Sequence, residues 1–395
     1  MNYEHFAHPE KKKDIYLVDM TREKGYFSEL MTKAITKNLT EKKKILIIVN
    51  KKGYASWLLC QSCGHIPRCH QCDVSIGYHD TSTQRDDHTW YDNDSLRDSH
   101  PGASNSSKDW ANVKSIKSPN LQLTGLCHIC KTVSLLPSHC AECGKSDTLV
   151  LYGLTVQKTA EWIQQTYHIR PTVIDASSLA SSKKIEKSLT EIAKAQIVIA
   201  TSAILPAGDN SEFKIQNSKL LSFELIIVPS ADQRLTLPDY AVREKNFVML
   251  HDIVTHRATQ HYIIQSHKVD HPSIRSACKL DPVWFYAEEA IFRQVHHYPP
   301  YGELCIIKYN HQDESRLHTA IDNLTKELRF LQQSYGYQDM EIYSTPPLVY
   351  KKFGKYYYHI IIIGQQVRLL MDIAFSKLQM AKRGYKIDWM AEGMA

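Results

Sequence analysis

Four Cys-x-x-Cys pairs lie between residues 60 and 143: Cys60/Cys63, Cys69/Cys72, Cys127/Cys130 and Cys140/Cys143. Two residues between thiolates let one short turn aim both sulfurs at a single ion, and two such pairs complete a tetrahedral four-sulfur shell. Eight cysteines therefore predict two structural Zn2+ sites. A disulfide or a thioredoxin-type redox pair accounts for one such pair, but not for four in one segment of a cytosolic chain. Gly64 and Gly144, each directly after a pair's second cysteine, suit the left-handed turn that exposes backbone N–H groups to sulfur. His65, His70, His128 and His139 stand among the pairs and can substitute as ligands, though a four-cysteine shell needs none of them. Spacing alone leaves open which pair joins which. Cys278 and Cys305 are isolated in apolar surroundings and read as small core residues.

The cytoplasmic expectation comes from the N-terminus, MNYEHFAHPEKKKD, which carries no signal-type apolar core. No apolar stretch approaches the ~20 residues that span a bilayer, so no membrane partner is expected. At 395 residues the chain has room for two or three domains, and 43% hydrophobic with 23% charged residues excludes collagen, a coiled-coil rod and wholesale disorder. A net charge of +6 permits a polyanionic partner without demanding one.

Apolar spacing predicts a helix over Phe27 to Leu39 and a strand over Ile45 to Val49, whose continuous β-branched run suits a parallel sheet covered on both faces. Residues 80 to 120 are rich in Ser, Asp, Asn, His and Thr, lack an apolar period, and predict a disordered surface insertion. From Thr148 onward strands alternate with helices. Strands are expected at Thr148 to Tyr152, Thr172 to Asp175, Gln196 to Ala200 and Phe223 to Pro229, with His261 to Gln265 closing the domain. That alternation argues for right-handed βαβ units in a parallel sheet. A helical stretch through Trp284 to Val295 ends at Tyr298-Pro-Pro-Tyr-Gly302. Beyond it the order strand, helix, strand, strand, helix, strand is the split-βαβ arrangement.

A βαβ domain invites a search for a phosphate loop. The only Gly-Lys-Ser is Gly144-Lys145-Ser146; it lies inside a cysteine knuckle, and His139 stands where the first glycine is required. No Asp-Glu-x-His box, Ser-His-Asp grouping or His-Glu-x-x-His segment is present, so no catalytic residue is assigned. ATP binding is not expected of these residues alone.

An ordered set of short motifs carries a family resemblance. Val18-Asp19-Met20, Asn50-Lys-Lys-Gly-Tyr-Ala55, Cys69-His-Gln-Cys-Asp73 and Pro137-Ser-His-Cys-Ala-Glu-Cys-Gly144 come first. Leu237-Pro-Asp-Tyr240 with Glu244, His271-Pro272, Phe285-Tyr-Ala-Glu-Glu289 and Tyr298-Pro-Pro-Tyr-Gly302 follow. In this set the chain resembles the C-terminal half of the primosomal protein N′ family, the PriA-type replication-restart DNA helicases. The resemblance implies an α/β fold: a RecA-like second helicase lobe on a parallel sheet, interrupted by a cysteine-rich two-zinc insertion, then an α+β C-terminal domain. The boundaries expected are 1–59 and 148–272 for the lobe, 60–147 for the zinc region and 273–395 for the last domain. It also implies nested zinc pairing, Cys60, Cys63, Cys140 and Cys143 on one ion and Cys69, Cys72, Cys127 and Cys130 on the other. The partners it implies are fork and single-stranded DNA and primosome or replisome proteins.

The departures concern the motor. No residues correspond to the family's first helicase lobe or N-terminal DNA-binding domains. The family's Gly-Thr-Gln-Met segment reads Ala200-Thr-Ser-Ala203, and its two arginine-finger positions fall on His256 and Thr259. Neither residue offers the permanently charged fork that stabilises a transferring phosphoryl group, and Arg257 is one residue out of register. A separately encoded first lobe would make the chain half of an ATP-dependent helicase. Loss of the finger favours instead a relative that keeps its contacts without the motor, and a zinc-stabilised protein-interaction module is a third reading.

Lys351, Lys352 and Lys355 interleave with Tyr350, Phe353, Tyr356 and Tyr357, the cation-and-ring mixture that single-stranded DNA binding uses. Lys51 and Lys52 fall on the family's paired arginines. The DNA contacts expected are thus Lys51, Lys52, Lys351, Lys352, Lys355 and Tyr356. The plainer alternative is a hairpin with solvated lysines and half-core tyrosines. Asp232, Asp239 and Glu244 match motif positions and can equally serve as caps or ion pairs.

Overall fold

The computed structural model describes residues 2–23, 25–50, 57–60, 62–63, 65, 67, 76–80, 123–126, 133–135, 137–152, 154–174, 176–179, 181–204, 222–236, 240–255, 259–347 and 350–389. The elements in chain order begin with β1 (Tyr3–His8), β2 (Lys13–Asp19), α1 (Glu29–Thr40) and β3 (Ile45–Ile48). The cysteine segment holds β4 (Trp57–Cys60), β5 (Gly77–Asp80), β6 (Leu123–Leu126), β7 (Val133–Leu135) and β8 (Leu149–Tyr152). Next come α2 (Val156–Tyr167), β9 (Thr172–Ile174), α3 (Ser182–Lys194), β10 (Ile197–Ala200), β11 (Leu225–Val228), α4 (Val242–Val254) and β12 (His261–Ser266). The remainder is α5 (Pro272–Lys279), α6 (Pro282–Val295), β13 (Glu303–His311), α7 (Glu314–Ser334), β14 (Met340–Thr345), β15 (Lys351–Lys352), β16 (Lys355–Gly364), α8 (Val367–Lys377) and β17 (Lys386–Trp389).

Seven strands form the first sheet in the order β1-β2-β12-β11-β3-β10-β9. All neighbours are parallel except the β1–β2 hairpin. In β3, β10 and β11 every residue is buried, because the period of two sends alternate side chains to opposite apolar layers. Leu46, Ile48, Val198, Ile226 and Val228 meet Ile192 of α3, Phe247, Leu250 and Ile253 of α4, and Phe285 of α6. Ile45, Ile47, Ile197, Ile199 and Ile227 meet Met31 and Ile35 of α1 and Val156 and Ile163 of α2. Each fully buried aliphatic side chain contributes about 1.5–3 kcal/mol. Ser28 starts α1: its Oγ accepts from Met31 N at 3.2 Å and donates to Gln265 Oε1 at 2.7 Å, which ties the helix to the end of β12.

His261–Ser266, the last strand of this sheet in chain order, sits inside it, paired on one side with β11 and on the other with β2, and the N-terminal hairpin forms that edge. Two expectations change. Leu149–Tyr152 leaves the parallel sheet and pairs antiparallel with Trp57–Cys60, since a four-residue apolar run specifies a strand but not its neighbour. The stretch before Tyr298 is two helices, broken at Leu280 in a left-handed conformation and restarted by Asp281, whose carboxylate accepts from Trp284 N at 2.9 Å. Residues 81–120 of the expected insertion lie outside the described residues.

The second sheet has the order β14-β16-β13-β17, all antiparallel, with β15 paired to β16. Helices α7 and α8 cover one face through Leu317, Ile321, Leu324, Leu328, Leu370 and Met371, packed on Cys305, Ile307, Ile360 and Ile362. On the other face Leu304, Ile306, Ile361 and Ile363 meet Tyr240, Tyr298 and Tyr343. Both isolated cysteines, Cys278 and Cys305, are buried in these cores as expected. Gly302 closes the approach: a Cβ there would overlap the carbonyl oxygen of His297.

Candidate metal centre and nucleic-acid surfaces

The antiparallel pair β4–β8 places Cys60 opposite Leu149 and so brings the first and last cysteine pairs together. The sulfurs of Cys60, Cys63, Cys140 and Cys143 all lie within 4.8 Å of one another. Cys60 and Cys143 sulfurs are 3.8 Å apart, Cys63 and Cys140 sulfurs 3.7 Å. A tetrahedral ion with Zn–S bonds of about 2.3 Å requires sulfurs about 3.8 Å apart, so this set can hold one metal ion. Cys140 N donates to Lys145 O at 3.0 Å and Gly144 N to Cys140 O at 2.9 Å. Gly144 takes φ +68°, the left-handed turn its position suggested.

Two further residues support the site that cysteine spacing could not reveal. Thr148 Oγ1 stands 3.2 Å from Cys60 Sγ and holds that thiol down to about 6. Lys145 Nζ donates to Ser62 Oγ at 2.9 Å and joins the two knuckles. The His65 N–H favours the Cys63 thiolate, but desolvation and the three neighbouring sulfurs push Cys63 up to about 12. Four thiolates at this spacing repel one another unless a cation lies between them, which is the donor chemistry of a closed zinc shell. Cys69, Cys72, Cys127 and Cys130 lie outside the described residues.

Lys51 and Lys52 also lie outside them. The C-terminal basic segment is a hairpin whose two-residue turn, Phe353–Gly354, has φ of 49° and 71°. Lys351 Nζ donates to Tyr356 OH at 3.0 Å and sits 4.6 Å from its ring centroid. Tyr350, Tyr356 and Tyr358 pack against the helix-covered core, while Lys355 is exposed. The structure therefore separates the four expected contacts here: Lys351 and Tyr356 engage each other, and Lys352 pairs across the turn with Lys355.

Several motif residues gather at the carboxyl edge of the parallel sheet. Asn50 Oδ1 accepts from Ser202 N at 2.8 Å, joining the ends of β3 and β10, and Asp232 accepts from His267 N at 3.0 Å. Thr259, at a finger position, lies instead at the amino edge, ahead of β12, where it is buried and its carbonyl accepts from Lys13 Nζ at 3.0 Å. His256, Arg257 and Asp239 lie outside the described residues.

Glu244, Glu289 and Arg293 form an ion network beneath Tyr240 and Tyr298. Arg293 Nη2 contacts Glu244 at 2.6 Å and its Nε contacts Glu289 at 2.9 Å, while Arg243 Nε reaches Glu289 at 3.2 Å. Tyr240 and Tyr298 stack at 5.3 Å, so three separate sequence motifs meet where the two sheets adjoin. Burial raises the Glu289 carboxyl above its ordinary value against the pull of both arginines.

No family model matches the chain. Replication restart protein PriA of Bacillus subtilis is 24% identical over 385 residues, covering 94% of this chain and 41% of that protein. The PriA protein of Borreliella burgdorferi is 26% identical over 368 residues (91% and 47%), and that of Chlamydia pneumoniae 26% over 336 residues (80% and 38%). The chain spans less than half the length of these curated relatives. No helix among the described residues is long and apolar enough to cross a membrane. Over nearly its whole length, the chain resembles the C-terminal part of replication restart protein PriA.

Proposed function

We propose that the chain acts in replication restart as a PriA-like, two-zinc protein that binds fork DNA and replication proteins without hydrolysing ATP on its own. The observation that carries this is the span of the similarity: one match to a restart protein runs over 94% of the chain, through both sheets and the cysteine segment between them. In this reading the seven-stranded sheet is the RecA-like second helicase lobe (1–59 and 148–272), and 60–147 is the zinc region. Residues 273–395 are the last domain; its βαββαβ order and antiparallel sheet from Glu303 to Trp389 are in keeping with a split-βαβ unit, while its first two helices pack on the seven-stranded sheet. Cys60, Cys63, Cys140 and Cys143 hold one Zn2+, and Cys69, Cys72, Cys127 and Cys130 the other.

The residues at the finger positions, His256 and Thr259, support a role in binding rather than in turnover. The test is a titration of the full chain with a synthetic fork at two salt concentrations, beside an ATPase assay. Salt-dependent binding with flat ATPase is expected. Absence of binding would leave only a zinc-stabilised interaction module. ATP turnover that begins when a separately expressed first helicase lobe is added would make the chain half of a bipartite motor.

A further inference from the structure

Strand register divides the helix-free face of the second sheet into two halves. Cys305 and Ile307 of β13 and Ile360 and Ile362 of β16 point into the core beneath α7 and α8. The alternate positions, Leu304, Ile306, Lys308 and Asn310 with Tyr357, His359, Ile361 and Ile363, therefore share the other face. Its apolar half is covered by Tyr240, Tyr298 and Tyr343.

The other half is basic. Lys352 pairs with Lys355 across the turn, on the same face as Tyr357, whereas Lys351 pairs with Tyr356 on the helix side. Asn310 is opposite Tyr357, Lys308 opposite His359, and Lys386 of β17 opposite Lys308. Four lysines thus share this half of the face with the half-buried Tyr357. Among the described strand residues of this half, the carboxylate is Asp388, which pairs with Lys308 at 2.6 Å. At strand geometry the accessible part of the patch runs about 7 Å along β16 from Lys355 to Tyr357, where buried His359 ends it, and about 10 Å across from β16 to β17. That is room for one base on Tyr357 with its flanking phosphates, a smaller version of the stacking that four-stranded sheets make on ring-bearing central strands.

We infer that this basic half of the sheet face is a single-stranded DNA site, with Tyr357 as the stacking ring and Lys308, Lys352, Lys355 and Lys386 as phosphate contacts. The inference rests on the DNA-binding role proposed above and moves its centre away from Lys351 and Tyr356. Stacking supplies sequence-tolerant contact, because every base has a π-face, and the ammonium groups follow the backbone.

The test is fluorescence anisotropy of the full chain with a labelled oligothymidylate at low and moderate salt. Tyr357→Ala is expected to weaken binding about five- to a hundredfold, and Tyr357→Phe to preserve it. Lys352→Ala/Lys355→Ala should flatten the salt slope by ~1.4. Lys351→Ala and Tyr356→Phe, on the other side, should stay within about twofold of the parent, since their contact is internal to the hairpin. A bromodeoxyuridine-substituted strand should photocrosslink to Tyr357. Parent-like binding by both Tyr357→Ala and the double lysine variant, with crosslinks elsewhere, would overturn this site and leave the DNA role standing. Absence of oligothymidylate binding by the parent chain would overturn the site, and absence of fork binding as well would overturn the DNA role with it.

Discussion

The seven-stranded sheet is held from both sides by side chains such as Ile45, Ile47, Ile199 and Ile227, all buried. Among its described residues the cysteine segment shows little of this. Around β4 and β8 the buried apolar side chains are few, Leu58 and Leu149 among the described ones, and the geometry converges instead on four sulfurs. One region takes its stability from surface removed from water, the other, in the zinc reading proposed above, from a ligand shell that needs its ion. The two should therefore respond independently to perturbation, and each can be broken without the other.

The largest effect is expected from the ion. Cys140→Ser should cost the protein one equivalent of zinc and the hydrogen-exchange protection of β4 and β8, because structural zinc binding supplies about 10–16 kcal/mol of local folding free energy. The cooperative unfolding of the sheet should remain; its loss would show that the regions are not separable. Ile47→Ala attacks the opposite side, removing a side chain from between two covered faces. It should cost about 2–5 kcal/mol in chemical denaturation while zinc content stays unchanged.

The ion network that joins the sheets comes next. Arg293→Ala leaves Glu289, whose side chain is only 3% exposed, with Arg243 as its remaining ion partner among those described. A loss of about 3 kcal/mol is expected, and it should be recovered in part when Glu289→Leu is added, because the stranded charge is then gone. An unchanged denaturation midpoint for Arg293→Ala would remove the network from the account.

The smallest effect is one of pH. His271 caps α5, its Nδ1 accepting from Ser273 N at 3.3 Å, and burial, with Arg243 and Lys268 nearby, brings its pKa down to about 4. The unfolded chain, with an ordinary histidine near 6.5, binds the proton more readily. Stability from this group is thus complete above pH ~6.5 and is lost as pH falls toward about 4. His271→Asn keeps a capping side chain and should flatten that part of the stability profile; an unaltered profile would assign the acid sensitivity elsewhere.

How much was legible in the sequence follows from how local each signal is. Ile45–Ile48, Ile197–Ala200 and Leu225–Val228 announce themselves as strands covered on both faces, since no polar residue interrupts them. The N-terminal hairpin does not: its outer strand alternates weakly and its turn lies in a lysine run, so its place at the sheet edge is a tertiary fact. Leu149–Tyr152 shows the same limit, because strand character is local and strand pairing is not. The cysteine pairs were readable as chelating turns, but that the first closes on the last depends on β4 meeting β8. The basic hairpin was readable as composition only. Which lysine shares a face with which tyrosine is set by the parity of a two-residue turn.

The two-zinc reading makes thiolates the organising chemistry of the middle of the chain. Its most direct test is the zinc stoichiometry of the purified full-length chain, measured by elemental analysis with and without substitution of Cys60 and Cys140. Two equivalents falling to one is the predicted result. A parent protein with well under one equivalent, or a double variant that keeps all its zinc, would contradict it.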